Sequence, residues 1–533
     1  MNVRIALLAL LLPLSGVRPL VAQPGLEARV DSLFERWDAA ESPGCALGVV
    51  QDGRMAYERG YGFANLDDSL PNGPGMVYYV GSVSKQFTAA SIALLAQEGR
   101  ISIDDDVRNY VPELPDYGRT MSIRHLVHHT SRLRDYYTLM SLAGIRSEDV
   151  LTDDDLLALI TRQKELNFLP GDEYLYSNSG YWLLGQIVER VTGQSLREYA
   201  RTRIFEPLRM RDTHFHDEPW HPMVNRAVSY EREAGSQPRI AYLANFDKIG
   251  AGGLYTTLDD LRRWDANFYE PRVGGDEFLR TLHTRGILTN GDTLPYAFGL
   301  MIGEYRGLRT VRHSGGLMGF RAELARFPGE HFAVIVQCNQ ADINATALAN
   351  GVADLYLADR LDEPAARGGD AEPDRDAAES PAWQPTADAL RAFAGEYRSE
   401  ELGATYRIAL ENGGLVLYRP INEPIPMRGT AQDEFAAASL RLDFTRAPAA
   451  FERTGYHKPL VARPHIEMPH RDREEGSRAV VDRPNPCGIG PGLDNGTRSA
   501  YTWRCSWQGT VNGRRSSAKR RRTTRSGARR SPS

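Results

Sequence analysis

The pattern of apolar and polar positions becomes regular near residue 45. Residues 45–50 form an unbroken apolar run, and a shorter strand-like run at residues 55–58 follows the turn Gln51-Asp52-Gly53. Two such runs joined by a glycine-containing turn predict a β-hairpin. Three further runs near the other end, at residues 308–312, 321–327 and 332–338, predict consecutive antiparallel strands.

Between these strand-like runs the apolar positions recur with the period of a helix. Residues 83–98 and 181–191 predict two helices packed on a core, the second closed by Gly193. A third helix is predicted at residues 258–264, with Thr257 as its N-cap. Strands at both ends with helices between them predict an α+β fold, an antiparallel sheet flanked by helices in which both ends of the domain meet.

The chain changes character after the last of these strands. Residues 362–388 are rich in Asp, Glu, Ala, Pro and Arg without periodicity, which predicts a linker. Residues 389–450 alternate again and predict a small antiparallel β domain. In residues 451–533 the periodicity is lost, and nine of the last 20 residues are Lys or Arg. This segment is interpreted as a disordered basic tail, as a patch for a nucleic acid or an anionic surface, or as out-of-frame sequence; the last is favoured.

Residues 1–22 predict a secretory signal peptide. Arg4 supplies a short basic region, residues 5–14 are apolar, and a cleavage site follows Ala22. Arg18 interrupts the apolar run before it reaches the roughly 20 residues that a membrane anchor needs. We therefore expect export to the periplasm or the medium, with no stable membrane insertion after cleavage.

Composition and charge exclude few classes of protein or partner. Of 533 residues, 41% are hydrophobic and 25% charged, which is typical of globular proteins. A net charge of −5 indicates neither an acidic nor a basic partner, and no nucleic-acid partner is expected. Of the four cysteines, Cys45 and Cys338 lie in strand-like runs and are interpreted as buried free thiols, while a bridge between them stays open.

A serine and a lysine stand three residues apart at the start of the first predicted helix. Ser82 and Lys85 would share one helix face, so the lysine could take the proton of the serine if burial lowered its pKa. The spacing alone is a weak signal, because it recurs at Ser516 and Lys519 in the basic tail.

Two more motifs carry groups suited to the same chemistry. Tyr176 and Asn178 lie just before the second helix, where a tyrosine could relay a proton and an amide could orient a substrate; a turn tyrosine and a capping asparagine are the simpler reading. His313 precedes Gly315 and Gly316, whose backbone a substrate could approach closely. An ordinary hairpin is the alternative there.

The order and spacing of the three motifs resemble those of the serine β-lactamase and penicillin-binding-protein superfamily. The Ser-x-x-Lys, Tyr-x-Asn and His-x-Gly elements stand at residues 82–85, 176–178 and 313–315. The branch with class C β-lactamases, D-Ala-D-Ala carboxypeptidases, D-aminopeptidases and related esterases is most similar. The resemblance covers residues 26–360, and residues 389–450 resemble the small β-barrel domain that often follows.

The resemblance implies a catalytic role for three residues. Ser82 would attack a carbonyl and become acylated, and Lys85 and Tyr176 would share the proton transfers. Water would then hydrolyse the acyl-enzyme. The chemistry requires neither a metal nor a cofactor.

The resemblance also implies the groups that bind the substrate. Asn178 would hold the substrate amide, and His313 would line the opposite side of the site beside Gly315. The N–H groups of Ser82 and Gly316 would form the oxyanion hole. Class C β-lactamases carry Lys where this chain has His313, and a neutral imidazole binds a carboxylate less firmly than a permanent cation does. A peptidase or an esterase is therefore favoured over an efficient β-lactamase.

A second departure from the family pattern is Arg132, which stands where a glycine is expected after His129-Thr130-Ser131. Arginine tolerates a positive φ angle poorly. We therefore expect a reshaped loop or an irregular position here.

Competing signals are weaker. His214, His216 and Asp217 suggest zinc, but Asp217 follows His216 directly, so the spacing of metallo-β-lactamases is absent and no metal site is expected. The chain contains no Gly-x-Ser-x-Gly motif of an α/β-hydrolase.

The sequence thus predicts an exported serine hydrolase at residues 24–361. It would act through a Ser82 acyl-enzyme on a peptide, ester or lactam carbonyl, with a D-Ala peptidase or an esterase favoured. A non-catalytic protein that binds cell-wall peptide or penicillin on the same scaffold is the alternative, and an interaction protein working through residues 455–533 is a third reading. The substrate, the role of the β domain and the oligomeric state stay open.

Overall fold

The computed structural model describes residues 25–363, 383–444 and 465–466, apart from residues 40, 147–148, 219–220, 233–235, 242–247, 384, 422 and 439. The predicted signal peptide, most of the predicted linker and nearly all of the basic tail lie outside the described residues.

Strands and helices are numbered along the chain. The strands are β1 (Cys45–Gln51), β2 (Arg54–Tyr61), β3 (Phe63–Asn65), β4 (Leu70–Pro71), β5 (Tyr78–Tyr79), β6 (His214–Phe215), β7 (Tyr230–Glu231), β8 (Arg239–Ile240), β9 (Leu254–Thr256), β10 (Met301–Tyr305), β11 (Leu308–Leu317), β12 (Phe320–Phe327), β13 (Phe332–Cys338), β14 (Gly395–Ser399), β15 (Ala404–Glu411), β16 (Gly414–Tyr418), β17 (Ile425–Ala431), β18 (Glu434–Ala437), β19 (Leu440–Asp443) and β20 (His465–Ile466). The helices are α1 (Leu26–Phe34), α2 (Lys85–Gln97), α3 (Ile123–Val127), α4 (Tyr136–Ala143), α5 (Asp153–Thr161), α6 (Asn178–Thr192), α7 (Leu196–Ala200), α8 (Glu206–Leu208), α9 (Leu258–Ala266), α10 (Gly275–Leu282), α11 (Ala345–Tyr356) and α12 (Ala387–Arg391).

The predicted α+β architecture is confirmed. Six antiparallel strands form one sheet in the order β10-β11-β12-β13-β1-β2. The pairing of β1 with β13 joins the beginning of the domain to its end, as the sequence predicted. One face of the sheet packs against α1 and α11, and the other packs against a larger core that contains α2 and α6.

Local sequence rules account well for the helices. Thr257 accepts a hydrogen bond from Asp260 N and caps α9 as predicted, because its hydroxyl satisfies a free N–H of the first turn. Gly193 ends α6 in the left-handed conformation, at φ 74°. One prediction needs adjusting: a single 3₁₀ turn, Gly81–Ser84, precedes α2, so Ser82 lies in that turn and Lys85 is the first residue of the α-helix.

A disulfide links two neighbouring strands of the sheet. Cys45 and Cys338 lie directly opposite each other on β1 and β13, and their sulfur atoms are bonded. The interpretation of these cysteines as free thiols is therefore wrong. Sequence could not decide the question, because the pairing of two residues 293 positions apart depends on the register of the strands.

We expect this disulfide to contribute strongly to stability. A crosslink across 293 positions restricts the unfolded chain, so its loss should lower the free energy of unfolding by about 2–5 kcal/mol. Urea unfolding of the oxidised protein beside the Cys45→Ala/Cys338→Ala variant measures this difference. Equal midpoints for the two proteins would contradict the expectation.

The C-terminal residues form the predicted antiparallel β domain. Strands β14 to β20 pair in sequence order around a core that includes Phe393, Phe435 and Phe444. Helix α12 begins this unit within the range predicted to be linker. We call residues 383–444 the β unit.

None of the helices within the described residues combines the length and the apolar character that a bilayer crossing requires.

Candidate active site

The proposed nucleophile lies in a turn that packs closely against the large sheet. Gly81 has φ +53°, and a Cβ there would lie 2.5 Å from Gly316 N on β11. A Cβ on Gly315 would lie 2.0 Å from Val80 O and 2.8 Å from Ser82 N. Only glycines allow this approach, so they hold the backbone N–H of Ser82 beside β11.

Lys85 is buried and makes three hydrogen bonds. Its Nζ donates to Ser82 Oγ at 3.0 Å, to Asn178 Oδ1 at 2.8 Å and to Ala251 O at 2.7 Å. These three acceptors use all three hydrogens of an ammonium group. The side chain therefore has a single well-defined position beside the serine.

Burial lowers the pKa of Lys85 to about 7, although the negative charge of Asp135 partly opposes the effect. At neutral pH a large fraction of the side chain is therefore an uncharged amine. A neutral amine keeps two hydrogens, which the carbonyl oxygens of Asn178 and Ala251 accept, since neither oxygen can donate. Its lone pair is left to face Ser82 Oγ, which is the geometry of a general base.

Asp135 fixes the orientation of Asn178. One carboxylate oxygen accepts from Asn178 N at 2.6 Å and from Asn178 Nδ2 at 2.8 Å. Because an ionised carboxylate only accepts, the amide oxygen must turn toward Lys85. Asp135 was not predicted from the sequence, because it caps α4 by accepting from Tyr137 N and a capping aspartate is an ordinary sequence feature.

Tyr176 lies against both Ser82 and Lys85. Its phenol lies close enough to the Ser82 side chain for Ser82 to influence the pKa of the phenol, and Lys85 Nζ lies 4.8 Å from the centre of its ring. Burial raises the pKa of Tyr176 well above its ordinary value, so the phenol stays protonated at neutral pH. Of the two side chains beside Ser82, the amine is the one that can accept a proton.

A buried histidine supports Tyr176. The ring of His129 lies 4.1 Å from that of Tyr176, and its Nδ1 accepts from Ser177 N at 3.1 Å. Burial, reinforced by the nearby charge of Lys85, lowers the pKa of His129 well below its ordinary value. The neutral imidazole therefore packs under the Tyr-x-Asn motif.

His313 is neutral and held by the protein on both ring nitrogens. Its Nδ1 lies 2.6 Å from Ser314 O, and because a carbonyl only accepts, Nδ1 carries the hydrogen. Nε2 then accepts from the Tyr296 hydroxyl at 3.0 Å. Burial lowers the pKa of His313 to about 3, and the charge of Lys85 acts in the same direction. This side of the site therefore presents no permanent cation.

The structure brings all seven predicted site residues into one region: Ser82, Lys85, Tyr176, Asn178, His313, Gly315 and Gly316. The groups that sequence reasoning missed are Asp135, His129, Tyr296 and the carbonyl of Ala251. The resemblance had drawn attention to His129, but nothing in the sequence indicated its contacts.

Arg132 takes the conformation that its glycine-like position demands. Its φ is +68°, and its buried guanidinium lies 3.8 Å from the ring centre of Phe168. Nη1 pairs with Glu173 at 3.2 Å. Contacts of the side chain thus accommodate a left-handed backbone that costs an arginine energy.

The two histidines of the weak zinc signal are hydrogen-bonded to each other. His214 Nε2 and His216 Nδ1 lie 3.3 Å apart, and Asp217 pairs with Arg197 at 2.8 Å. Within the described ranges, no group of three or more His, Cys, Asp or Glu residues has an arrangement that could hold a metal ion.

Comparison with known proteins agrees with this geometry. The family model described as Beta-lactamase matches residues 30–359. The D-aminopeptidase of Gluconobacter oxydans (strain 621H) is 30% identical over 455 residues, which cover 84% of this chain and 81% of that protein. The D-aminopeptidase of Brucella canis is 30% identical over 323 residues, and the match spans only 60% of its length and 60% of this chain.

A solved structure shows the same fold. The octameric penicillin-binding protein homologue from Pyrococcus abyssi superposes with a TM-score of 0.55 at 22% identity, over 80% of this chain and 96% of that one. The family model covers more than half of the chain, and the Gluconobacter relative matches most of it. The chain therefore belongs to the beta-lactamase family and is a serine hydrolase.

Proposed function

We propose that the protein is an exported D-aminopeptidase or D-amino acid amidase-like hydrolase that forms an acyl-enzyme on Ser82, with turnover of small esters as a second activity. The observation that carries the proposal is the set of hydrogen bonds around Lys85. Two carbonyl acceptors and one serine hydroxyl leave a neutral amine only one place to direct its lone pair, the Ser82 oxygen.

In the first half of the reaction Ser82 Oγ attacks the substrate carbonyl carbon, and its proton passes to Lys85 Nζ. The backbone N–H groups of Ser82 and Gly316 face the developing oxyanion from the turn and from β11. Collapse of this intermediate breaks the bond to the leaving amine. That amine takes the proton from Lys85. The Tyr176 hydroxyl relays the proton where it lies between Lys85 Nζ and the leaving nitrogen.

In the second half a water molecule attacks the acyl carbon and gives its proton to Lys85. Breaking the ester bond returns that proton to Ser82 Oγ and releases a carboxylic acid. Asn178 contributes throughout, since its Nδ2 has two hydrogens and Asp135 accepts one of them. The other remains for the carbonyl oxygen of a substrate amide.

The neutral state of His313 favours an aminopeptidase over a carboxypeptidase. A carboxypeptidase must accept a free carboxylate beside the scissile bond, and a permanent cation binds that group best. An aminopeptidase instead accepts an ammonium group, which a permanent cation at the position of His313 would repel. Two relatives bear the name D-aminopeptidase, which agrees with this choice.

Export is part of the proposal. Residues 1–22 have the pattern of a signal peptide. The disulfide between Cys45 and Cys338 supports the same conclusion, because such bonds persist mainly in oxidising compartments.

The test compares substrates that differ in one feature at a time. D-alanine p-nitroanilide, its L enantiomer, a peptide ending in D-Ala-D-Ala, and a chromogenic cephalosporin are incubated with the full chain. We expect the D-anilide to exceed each of the others in kcat/KM by about tenfold or more. Mass spectrometry of the quenched reaction should find the acyl group on the peptide that contains Ser82.

Two outcomes would reverse the assignment. Release of terminal D-alanine without any activity on the D-anilide would make the protein a carboxypeptidase. Binding of a labelled cell-wall peptide without turnover of any substrate would favour the non-catalytic alternative.

A further inference from the structure

An ion pair joins the β unit to the hydrolase domain next to the active site. Glu401, in the turn between β14 and β15, accepts a hydrogen bond from Arg134 Nη1 at 2.7 Å. The two side chains are only 11% and 6% exposed. Arg134 immediately precedes Asp135, the residue that orients Asn178. A carboxylate of the β unit therefore contacts the residue next to the catalytic hydrogen-bond network.

The β unit also holds the far end of α4. Leu142, near the end of that helix, packs within the core of the β unit. Tyr406 Oη donates to Leu142 O at 2.6 Å. Leu402 packs against the cores of both domains. The helix capped by Asp135 is thus held by the β unit on both sides, through Arg134 before its first turn and through Leu142 in its last.

From Arg134 the contacts continue without a break to the nucleophile. Ser179 Oγ donates to Arg134 O at 2.7 Å, so the start of α6 is bonded to Arg134 as well as to Asp135. Asn178, which makes the contact with Asp135, also accepts a hydrogen bond from Lys85 Nζ at 2.8 Å. A displacement of the Arg134 backbone would therefore be transmitted to the amide that orients the base.

We propose that Glu401 is a positioning residue of the active site, so that the β unit is required for the full rate of acylation rather than only for stability. This inference rests on the proposed roles of Ser82 and Lys85. If Glu401 loses its charge, the buried guanidinium of Arg134 no longer has a carboxylate partner. The backbone around Arg134 then rearranges to solvate the guanidinium. A movement of about 1 Å in the groups that orient a base can cost on the order of 100-fold in rate.

The test uses the full chain with one isosteric change. Glu401→Gln keeps the size of the side chain and removes the charge; Glu400→Gln is the matched control, since Glu400 is 75% exposed and reaches Lys164 only at 3.9 Å. The first readout is the single-turnover acylation rate constant, which does not depend on the fraction of active protein. The second is hydrogen exchange of the backbone amide of Asn178, which donates to Asp135.

We expect Glu401→Gln to slow acylation by about 10- to 100-fold with KM changed less than about twofold, and to speed the exchange of that amide. Glu400→Gln should change neither. In the double variant Arg134→Met/Glu401→Gln the loss should equal that of Arg134→Met alone, because both changes break one pair.

The other possible results distinguish a failure of the positioning role of Glu401 from a failure of the proposed function. Glu401→Gln with normal acylation, even at lower thermal stability, would show that the pair is only structural. If the wild type is no faster than Ser82→Ala, the proposed function fails, and the exchange of the Asn178 amide still decides the positioning role: unchanged exchange refutes it.

Discussion

Replacing Ser82 by alanine should lower kcat/KM on D-alanine p-nitroanilide by about 10⁴–10⁶-fold, because the variant has no oxygen to form the acyl-enzyme. The residual rate would come from the oxyanion groups and from substrate binding alone. Steady-state kinetics of the two proteins measure the loss, and the acyl adduct should disappear from the mass spectrum of the variant.

Ser91→Ala is the matched control for this change. Ser91 lies in α2, two turns beyond the site, and its hydroxyl donates to Phe87 O at 2.9 Å within the helix. We expect it to keep the wild-type rate. A Ser82→Ala protein that retains the wild-type rate would remove Ser82 from the mechanism.

Replacement of Lys85 should be nearly as damaging. Lys85→Met removes the base and should lower kcat/KM by roughly 10²–10⁴-fold. Lys85→Arg separates the role of the base from that of the charge, because a guanidinium keeps its proton at any pH at which the protein is folded. We expect both variants to show a loss of this size; a fully active Lys85→Arg would mean that Lys85 acts only through its charge.

The role of Lys85 as a base also predicts the direction in which the activity of the wild type changes with pH. Burial lowers the pKa of Lys85 to about 7, and only the unprotonated amine accepts the serine proton. Below this pH, kcat/KM should therefore rise about tenfold with each pH unit, and it should level off above it. The residual activity of Lys85→Met should lack this rise. A wild-type rate that is flat between pH 5 and 7 would contradict Lys85 as the base.

Much of the fold could be predicted from sequence because the signals are local. The apolar run of β1, the helical period of α6 and the capping of α9 each depend on a few neighbouring residues. The 3₁₀ turn at Gly81–Ser84 was beyond these rules, since it depends on how closely the turn packs against β11.

The proposed catalytic residues could be predicted in part for the same reason. Ser82 and Lys85 are three residues apart, and Tyr176 and Asn178 two, so local geometry already brings each pair together. The role of Asp135 could not be predicted from the sequence, because Asp135 lies 43 positions from Asn178 and its capping of α4 is a sufficient local explanation.

The sequence by itself determined the class of fold, the three motifs and the chemical types that they bring to the site, because spacing and periodicity act over a few residues. Only the tertiary structure decided the protonation states and the partners. Lys85 can act as a base because burial disfavours its charge, and His313 is neutral because burial and the charge of Lys85 both lower its pKa. Likewise Cys45 and Cys338 are bonded because the register of the two strands places them opposite each other. Desolvation and long-range contact exist only once distant segments have packed together.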